Sequence, residues 1–193
     1  AGRAHVSCLA RAAGHQPKLW HTCPTCKQEF QGQLTLGLAQ ARWELVRNHP
    51  QMSEDRLKAL DHLALARSNA GDHVGARPLL EEQVAVCRQK YGDRDPTTLA
   101  SISDLGTLLL SMEDAAALPL LEEACEGLRR TEGNTHKLTL RATVNLAKAC
   151  SQMAAGSRAM ARLLYEQVCV EWSRVWPWSP VLFNAMGDLS NIS

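Results

Sequence analysis

The chain has 193 residues, of which 45% are hydrophobic and 21% are charged, so it carries enough apolar residues to bury a core. It has 21 Lys and Arg against 20 Asp and Glu, and the formal net charge of +1 disfavours nucleic-acid binding, which depends on a basic surface. Its apolar runs, such as Leu108 to Leu110, are far shorter than the roughly 18 residues of a membrane-spanning helix, and the scarcity of aromatic residues disfavours an all-β fold.

Residues 1–31 carry a pattern typical of metal ligands. His5 and Cys8 form an H-x2-C pair, and after fourteen intervening residues Cys23 and Cys26 form a C-x2-C pair. Thiolate and imidazole groups at these spacings suit the tetrahedral coordination of Zn2+. A thioredoxin-like redox role for the C-x2-C pair is the alternative, and it is less favoured because no strand is predicted before it. We therefore expect Zn2+ to bind in this segment.

The same residues resemble the second half of a RING-CH (RING-variant) zinc finger, which ends in H-x-S-C-L and C-x2-C-K-x-E-F. The resemblance implies that His5 and Cys8 are the fifth and sixth of eight ligands and that Cys23 and Cys26 are the seventh and eighth. The other four ligands would then lie upstream of Ala1. Because the chain also starts without Met, we expect an amino-terminal part to precede it.

The RING-CH resemblance also implies a way to act on other proteins. RING domains mostly recruit a ubiquitin-conjugating enzyme, and Pro24 and Lys27 occupy positions that contact this enzyme and ubiquitin in the family. Ala12 departs from the pattern, because RING-CH fingers usually carry an aromatic residue there. A purely structural zinc module is the alternative to a ligase.

Residues 32–50 are predicted to form a linker with a capping helix. Within 33–48, Leu34, Leu38, Ala41 and Leu45 fall on one helical face, and His49-Pro50 ends the helix. We expect this face to dock on the following residues as an amino-terminal cap.

Residues 51–193 contain a repeat of about 42 residues. Leu79-Leu80-Glu81-Glu82 recurs as Leu120-Leu121-Glu122-Glu123 and as Leu163-Leu164-Tyr165-Glu166, at steps of 41 and 43 residues. The apolar residues within each unit follow i, i+3, i+4, i+7 spacing, which predicts an all-α fold of about three and a half helix pairs. The predicted helices span residues 53–70, 73–90, 96–111, 114–130, 135–153, 157–175 and 180 to the end.

The segments Asn69–Glu82 and Tyr91–Leu99 resemble the tetratricopeptide repeats of the kinesin light chain type. The resemblance covers roughly residues 53–193 and implies a helix-pair solenoid that binds a peptide or a protein. In this repeat class the first helix of each pair lines the inner surface.

The family carries an Asn before a Leu of that first helix, where it hydrogen-bonds a peptide backbone. The corresponding residues here are His62, Asp104, Asn145 and Asp188, and only Asn145 matches.

Ser101, Arg141 and Lys148 lie one helical turn from these positions, on the same predicted face as Asp104 and Asn145. Arg141, Asn145 and Lys148 would together offer donors to a carboxylate or to an extended backbone. An ordinary solvated face is the alternative.

The chain has seven cysteines, an odd and unevenly spaced set that argues against a disulfide framework. It predicts a reducing intracellular compartment, most simply the cytoplasm, although an organelle interior is also open. Cys87, Cys125, Cys150 and Cys169 are expected to fill the helical core. The isolated histidines, His62 among them, are expected to be ordinary surface residues.

These observations predict a protein-interaction scaffold whose repeats bind a peptide or a protein partner. A RING-type ubiquitin ligase, in which the repeats select the substrate and the finger recruits the conjugating enzyme, is the first alternative. A subunit held in a larger multi-subunit complex by helix contacts is the second. The identity of the partner is open, because a solenoid's function depends on what it binds.

Overall fold

A computed structural model of the chain describes residues 32–153, 158–175 and 180–192, together with Val6, Leu9, Ala10, Ala13, Trp20 and Phe30. From residue 32 onward the described chain is helical, as the repeat predicts. Its helices are α1 (Gln33–Val46), α2 (Glu54–Asn69), α3 (His73–Tyr91), α4 (Pro96–Ser111), α5 (Ala117–Glu132), α6 (Lys137–Met153), α7 (Arg158–Val175) and α8 (Pro180–Ile192).

Two of the helices begin at side chains that cap them. The Ser53 hydroxyl accepts a hydrogen bond from the Arg56 N–H at 3.3 Å and caps α2. The Asp95 carboxylate accepts one from the Thr97 N–H at 2.7 Å, and Pro96 opens α4. Gly71, with φ at 82°, sits between α2 and α3 in a conformation that favours glycine.

The predicted helices agree with the observed ones to within three residues. The largest difference is at the start of α5, predicted at residue 114 and observed at Ala117. The reason is a local turn, because the Asp114 carboxylate accepts a hydrogen bond from the Ala116 N–H at 3.0 Å before the helix begins.

The chain divides into two compact units, Ala1–Val86 and Cys87–Ser193, called unit 1 and unit 2 below. The division falls inside α3, which therefore contributes residues to both. None of the helices in the described ranges is long and apolar enough to cross a lipid bilayer.

In unit 1, helix α1 packs through two apolar faces rather than the predicted one. The predicted face, which includes Leu38, meets the amino-terminal residues Ala13 and Trp20 in one hydrophobic cluster. A different face, which includes Ala39, packs on Leu63 of α2 in a second cluster. The capping helix α1 therefore packs on α2 through the face that includes Ala39. The sequence pattern had predicted the face that includes Leu38.

Leu45 was also placed on the predicted docking face, and that placement is wrong, because 59% of its surface is exposed. It lies in the last turn of α1, one turn beyond Ala41, which still packs against the cluster around Leu38. The described contacts of that cluster end before Leu45.

In unit 2, helices α4 and α5 approach closely at two glycines. A Cβ atom added to Gly106 of α4 would lie 2.8 Å from the Leu121 side chain of α5. One added to Gly127 of α5 would lie 2.5 Å from the Leu99 side chain of α4. Both distances are shorter than ordinary van der Waals contact, so glycine allows the close packing of this helix pair.

Candidate functional site

Helices α4, α6 and α8 of unit 2 present a row of polar side chains, which we call the polar face. It consists of Asp104 on α4, Arg141, Asn145 and Lys148 on α6, and Asp188 on α8. All but Asp188 were predicted to bind a partner, and Asp188 occupies the repeat position that corresponds to Asn145. In the structure these residues form contacts between the helices.

Arg141 and Asp104 form an ion pair between α6 and α4. The Arg141 Nη2 atom donates to the two carboxylate oxygens of Asp104 at 3.0 and 3.4 Å. The side chains are 45% and 38% exposed, so the pair is accessible to a ligand and to salt. Exposed pairs of this kind contribute roughly 0 to 1 kcal/mol to stability. Arg141 therefore has a carboxylate partner, but a weakly held one.

Asn145 is held in place by a hydrogen bond to a buried hydroxyl. Its Nδ2 atom donates to the Ser103 Oγ atom of α4 at 3.2 Å, and Ser103 is only 1% exposed. The two residues are 42 positions apart, which is one repeat. The contact fixes the amide while leaving Asn145 itself only half-buried.

Lys148 and Asp188 extend the polar face to α8. The Lys148 ammonium lies 3.9 Å from the Asp188 carboxylate, and the buried Tyr165 hydroxyl of α7 donates to the same carboxylate at 3.3 Å. Burial and the nearby Asp188 charge raise the pKa of Tyr165 well above its ordinary value. Tyr165 therefore stays a neutral donor and holds Asp188 in place.

Ser101 does not belong to the exposed surface, which corrects the prediction that it shares the face of Asp104. It is 2% exposed, and its hydroxyl donates to the Thr97 carbonyl at 3.0 Å. The same hydroxyl lies 3.6 Å from the Cys87 sulfur. A neighbouring helix covers this position, and the spacing within one helix cannot show which side is covered.

Two of the four described cysteines share a distinctive contact. Cys87 meets Ser101 as above, and the Cys125 sulfur lies 3.4 Å from the Thr143 hydroxyl, which donates to the Thr139 carbonyl at 2.8 Å. Each hydroxyl donates to a backbone carbonyl of its own helix, so its oxygen faces the sulfur of the neighbouring helix. Both sulfurs therefore pack against a hydroxyl oxygen between two helices.

The expectation of a cysteine core is confirmed for Cys87, Cys125 and Cys150, which are 2%, 1% and 6% exposed. It is wrong for Cys169, which is only partly buried. Burial, followed by the charges of Glu122 and Glu166 respectively, raises the pKa of Cys150 and of Cys169. Such thiols are poor nucleophiles.

The predicted zinc ligands His5, Cys8, Cys23 and Cys26 lie outside the described residues, and so do Pro24 and Lys27. The zinc-finger assignments therefore stay predictions. Among the described residues, no group of three or more His, Cys, Asp and Glu side chains is placed to hold a metal ion.

One contact in unit 1 was not predicted from the sequence. His62 was expected to be an ordinary surface residue, but it is half-buried and its Nδ1 atom lies 2.8 Å from Arg42 Nη1 of α1. Both residues line a cleft of about 630 Å³ in unit 1. The spacing between Arg42 and His62, which crosses the predicted helix break at His49-Pro50, gave no signal of this contact.

Comparison with known proteins agrees with this fold. A sequence profile of the tetratricopeptide repeat family matches residues 55–130. No curated protein sequence matches the chain at a significant level.

Solved structures of similar fold cover nearly the whole chain. The nearly identical TPR-like repeats of a Podosopora anserina kinesin light chain candidate share 23% identity, with a TM-score of 0.64, over 98% of this chain and 87% of that one. A point variant of the same repeats gives 23% identity and a TM-score of 0.66 over 99% and 87%. BtubC (BKLC) from P. vanneervenii gives 14% and 0.65 over 97% and 78%. At these identities the likeness shows the fold, which is that of tetratricopeptide-type repeats.

Proposed function

We propose that the chain is a protein-interaction scaffold that binds a peptide or protein partner through the polar face of unit 2. The observation that carries the proposal is the row of half-exposed, weakly paired side chains on α4, α6 and α8. The tetratricopeptide-type fold is compatible with this role.

Arg141 and Lys148 are the groups that a partner would engage. Each now faces one carboxylate, at 3.0 Å for Asp104 and 3.9 Å for Asp188. Because an exposed pair contributes only about 0 to 1 kcal/mol, a partner carboxylate can take the place of the internal one at little cost. The same exchange leaves Asp104 or Asp188 able to accept a backbone N–H from the partner.

Asn145 suits recognition of a peptide backbone. A side-chain amide offers both donors and an acceptor, and the bond to Ser103 uses only one of the donors. The remaining donor and the carbonyl match the N–H and C=O groups of an extended chain. A preorganised amide loses little side-chain entropy on binding, which favours affinity.

The test compares partner capture by two charge-reversal variants. Arg141→Glu lies on the polar face, and Arg130→Glu lies on α5, where Arg130 is 74% exposed and paired with Glu126 of its own helix. Proteins co-purified from native extract are quantified for wild type and both variants. Arg141→Glu should lose specific partners by about tenfold or more, and Arg130→Glu should retain them. Equal retention or equal loss would contradict the proposal.

A stable larger assembly is a form of the same proposal. If the chain is a permanent subunit, partners co-purify in fixed stoichiometry and survive gel filtration. A short-peptide partner instead dissociates on dilution. Gel filtration of the co-purified proteins therefore distinguishes a permanent subunit from a peptide-binding scaffold.

A zinc-binding amino-terminal segment is a further part of the proposal, supported by the spacing of His5, Cys8, Cys23 and Cys26. Three thiolates and an imidazole are donors that zinc accepts. Metal content should approach one zinc per chain and fall in Cys23→Ser, whereas Cys169→Ser, a half-buried thiol of α7, should keep it. A folded, zinc-free chain would refute these ligands.

Ubiquitin ligase activity is the second candidate function, supported by the resemblance of Cys23 to Phe30 to the end of a RING-CH finger. Pro24 and Lys27 would contact the conjugating enzyme and ubiquitin. An in vitro ubiquitination assay with several conjugating enzymes, on a protein that includes any upstream half of the finger, tests it. If no reaction forms ubiquitin chains, the ligase function is ruled out and only the scaffold function remains.

A further inference from the structure

A groove along α5 of unit 2 is separate from the polar face, which is carried by α4, α6 and α8. The groove has a volume of about 490 Å³ and is lined by residues of α5 together with Leu146 of α6. Ligand pockets occupy roughly 300 to 1,000 Å³, so this groove can take several side chains of a partner.

The α5 side of the groove is acidic. Glu122, Glu123 and Glu126 line it, against one described cation, Arg129. Glu123 and Glu126 each have an exposed arginine partner, and such pairs are weakly held. Glu122 has no cation partner in the part of the chain that the structure describes. We call Glu122 and Glu126, which lie one helical turn apart, the acidic row.

Helix α7 borders the groove on its other side. The Arg129 Nη2 atom donates to the Gln167 Oε1 atom of α7 at 3.3 Å and joins the two helices. Met160 and Leu163 lie seven and four residues before Gln167, which places them on the same flank of α7. They are 53% and 60% exposed although both are large and apolar. We call these two residues the apolar row.

The acidic row and the apolar row lie at the same level of the groove. Helices α5 and α7 are the second helices of consecutive repeats, so they run in the same direction. Glu122 and Met160 each lie seven residues before the bond that joins the helices. Glu126 lies three residues before it, and Leu163 lies four residues before it. Each turn of the groove therefore has a carboxylate on one side and an apolar side chain on the other.

Charge and spacing together indicate what would fit this groove. A lysine or arginine head group complements the acidic row, and the groove residues Cys125 and Leu146 offer apolar contact to its methylene stem. Residues four apart on an α-helix are separated by about 6 Å along its axis. A helix with basic residues at i and i+4, and leucines beside them, therefore matches both rows at once.

We propose that the groove between α5 and α7 binds a basic amphipathic helix of a partner protein, with its basic residues on the acidic row and its leucines on the apolar row. The exchange of partners at Glu126 costs little, because its present partner Arg130 is 74% exposed. Neither α5 nor α7 carries a residue of the polar face, so this site can fail or succeed independently of the role proposed for that face.

The test uses two helical peptides that differ only in charge, N-acetyl-AKLAAKLAAKLAA-amide and N-acetyl-AQLAAQLAAQLAA-amide, titrated calorimetrically into the full chain at low salt. The Lys peptide should bind about tenfold or more tightly than the Gln peptide, because charge-assisted hydrogen bonds are lost in the second. The double variant Glu122→Gln/Glu126→Gln should remove most of that difference.

The double variant Glu44→Gln/Glu81→Gln is the matched control and should retain the difference. Glu44 of α1 and Glu81 of α3 are 50% and 49% exposed, and each pairs with an arginine of its own helix, as Glu126 does. The control therefore removes the same charge from the chain without changing the groove.

Leu163→Ala separates the apolar contact from the charge. The side chain is 60% exposed, so the variant should fold normally, and it should weaken both peptides by about threefold or more while keeping their ratio. Leu45→Ala, at a leucine of α1 that is 59% exposed, is the matched control and should leave both affinities unchanged.

Four results would overturn the proposal. They are equal affinity for the Lys and Gln peptides, a difference that survives the double variant of the acidic row, equal effects of Leu163→Ala and Leu45→Ala, and no binding of the Lys peptide at about 1 mM.

Discussion

Arg42 in unit 1 and Arg141 in unit 2 are both partly exposed guanidinium groups on helices of the same all-helical chain, yet their partners differ. Arg141 bonds the Asp104 carboxylate, and Arg42 bonds the neutral imidazole of His62. Lys148 also has a carboxylate partner, Asp188. To bind an anion, Arg141 must exchange its carboxylate partner, whereas Arg42 has no carboxylate to give up among the contacts described for it. The two units therefore differ in how the charge of a helical arginine is compensated.

The largest effects are expected from core leucines that lie near the two arginines in the sequence. Leu38 lies one turn before Arg42 and Leu140 lies one residue before Arg141, and they are 0% and 2% exposed. Leu38→Ala and Leu140→Ala should each lower the free energy of unfolding by about 2 to 5 kcal/mol, since each leaves a cavity. Urea denaturation measures this.

Leu45→Ala serves as the control for these core variants. Leu45 is 59% exposed, so its replacement should change stability by no more than about 0.5 kcal/mol. If Leu38→Ala were as mild as Leu45→Ala, α1 would not pack on the amino-terminal residues as described.

A pH titration tests the role of Tyr165, which donates a hydrogen bond to Asp188 on the polar face of unit 2. Its pKa is raised in the folded protein, so the folded state keeps the phenol proton that the unfolded chain releases above its ordinary pKa of about 10. Stability is therefore complete below that pH and falls as pH rises above it, by at most about 1.4 kcal/mol per pH unit. Denaturant melts at several alkaline pH values should show a smaller fall for Tyr165→Phe than for the wild type.

The smallest expected effects separate the two arginines directly. Arg141→Met should lose up to about 1 kcal/mol of stability at low salt and less at high salt, because it breaks an exposed ion pair. Arg42→Met should cost no stability or slightly increase it, because it removes a half-buried charge that is bonded to a neutral imidazole. Urea melts at two salt concentrations measure both. A larger loss for Arg42→Met than for Arg141→Met would show that Arg42 is structural.

The helices could be read from the sequence because their ends are marked locally. Ser53, Gly71 and the Asp95-Pro96 pair act through backbone conformation and nearby hydrogen bonds, which need no knowledge of the rest of the fold. The repeat then indicated the helix pairs. The one boundary that differed by three residues, at Ala117, depended on a turn made by Asp114.

The contacts between helices could be predicted only in part. The hydrogen bond between Ser103 and Asn145 joins residues 42 positions apart, so the repeat length alone could have indicated it. The ion pair between Arg141 and Asp104 joins residues 37 positions apart, which is not the repeat length, because the long arginine side chain reaches a residue at a different position of the neighbouring repeat. Ser101 was misplaced because the periodicity of one helix does not show which side its neighbours cover.

The contact between Arg42 and His62 could not be predicted from the sequence, for a different reason. It joins two helices across the His49-Pro50 break, which the repeat does not span, so no register relates them. The second packing face of α1, which brings Arg42 beside α2, was likewise hidden by the stronger apolar pattern of the first.

The thiol contacts of Cys87 and Cys125 have a consequence for chemical durability. Peroxide and related oxidants must reach the sulfur atom, and each of these two sulfurs packs against a hydroxyl between two helices. Both are also almost inaccessible to solvent. The packing of these helix pairs should therefore survive oxidative stress, and the ageing of this part of the molecule should be governed by more exposed residues, such as Met160 on α7.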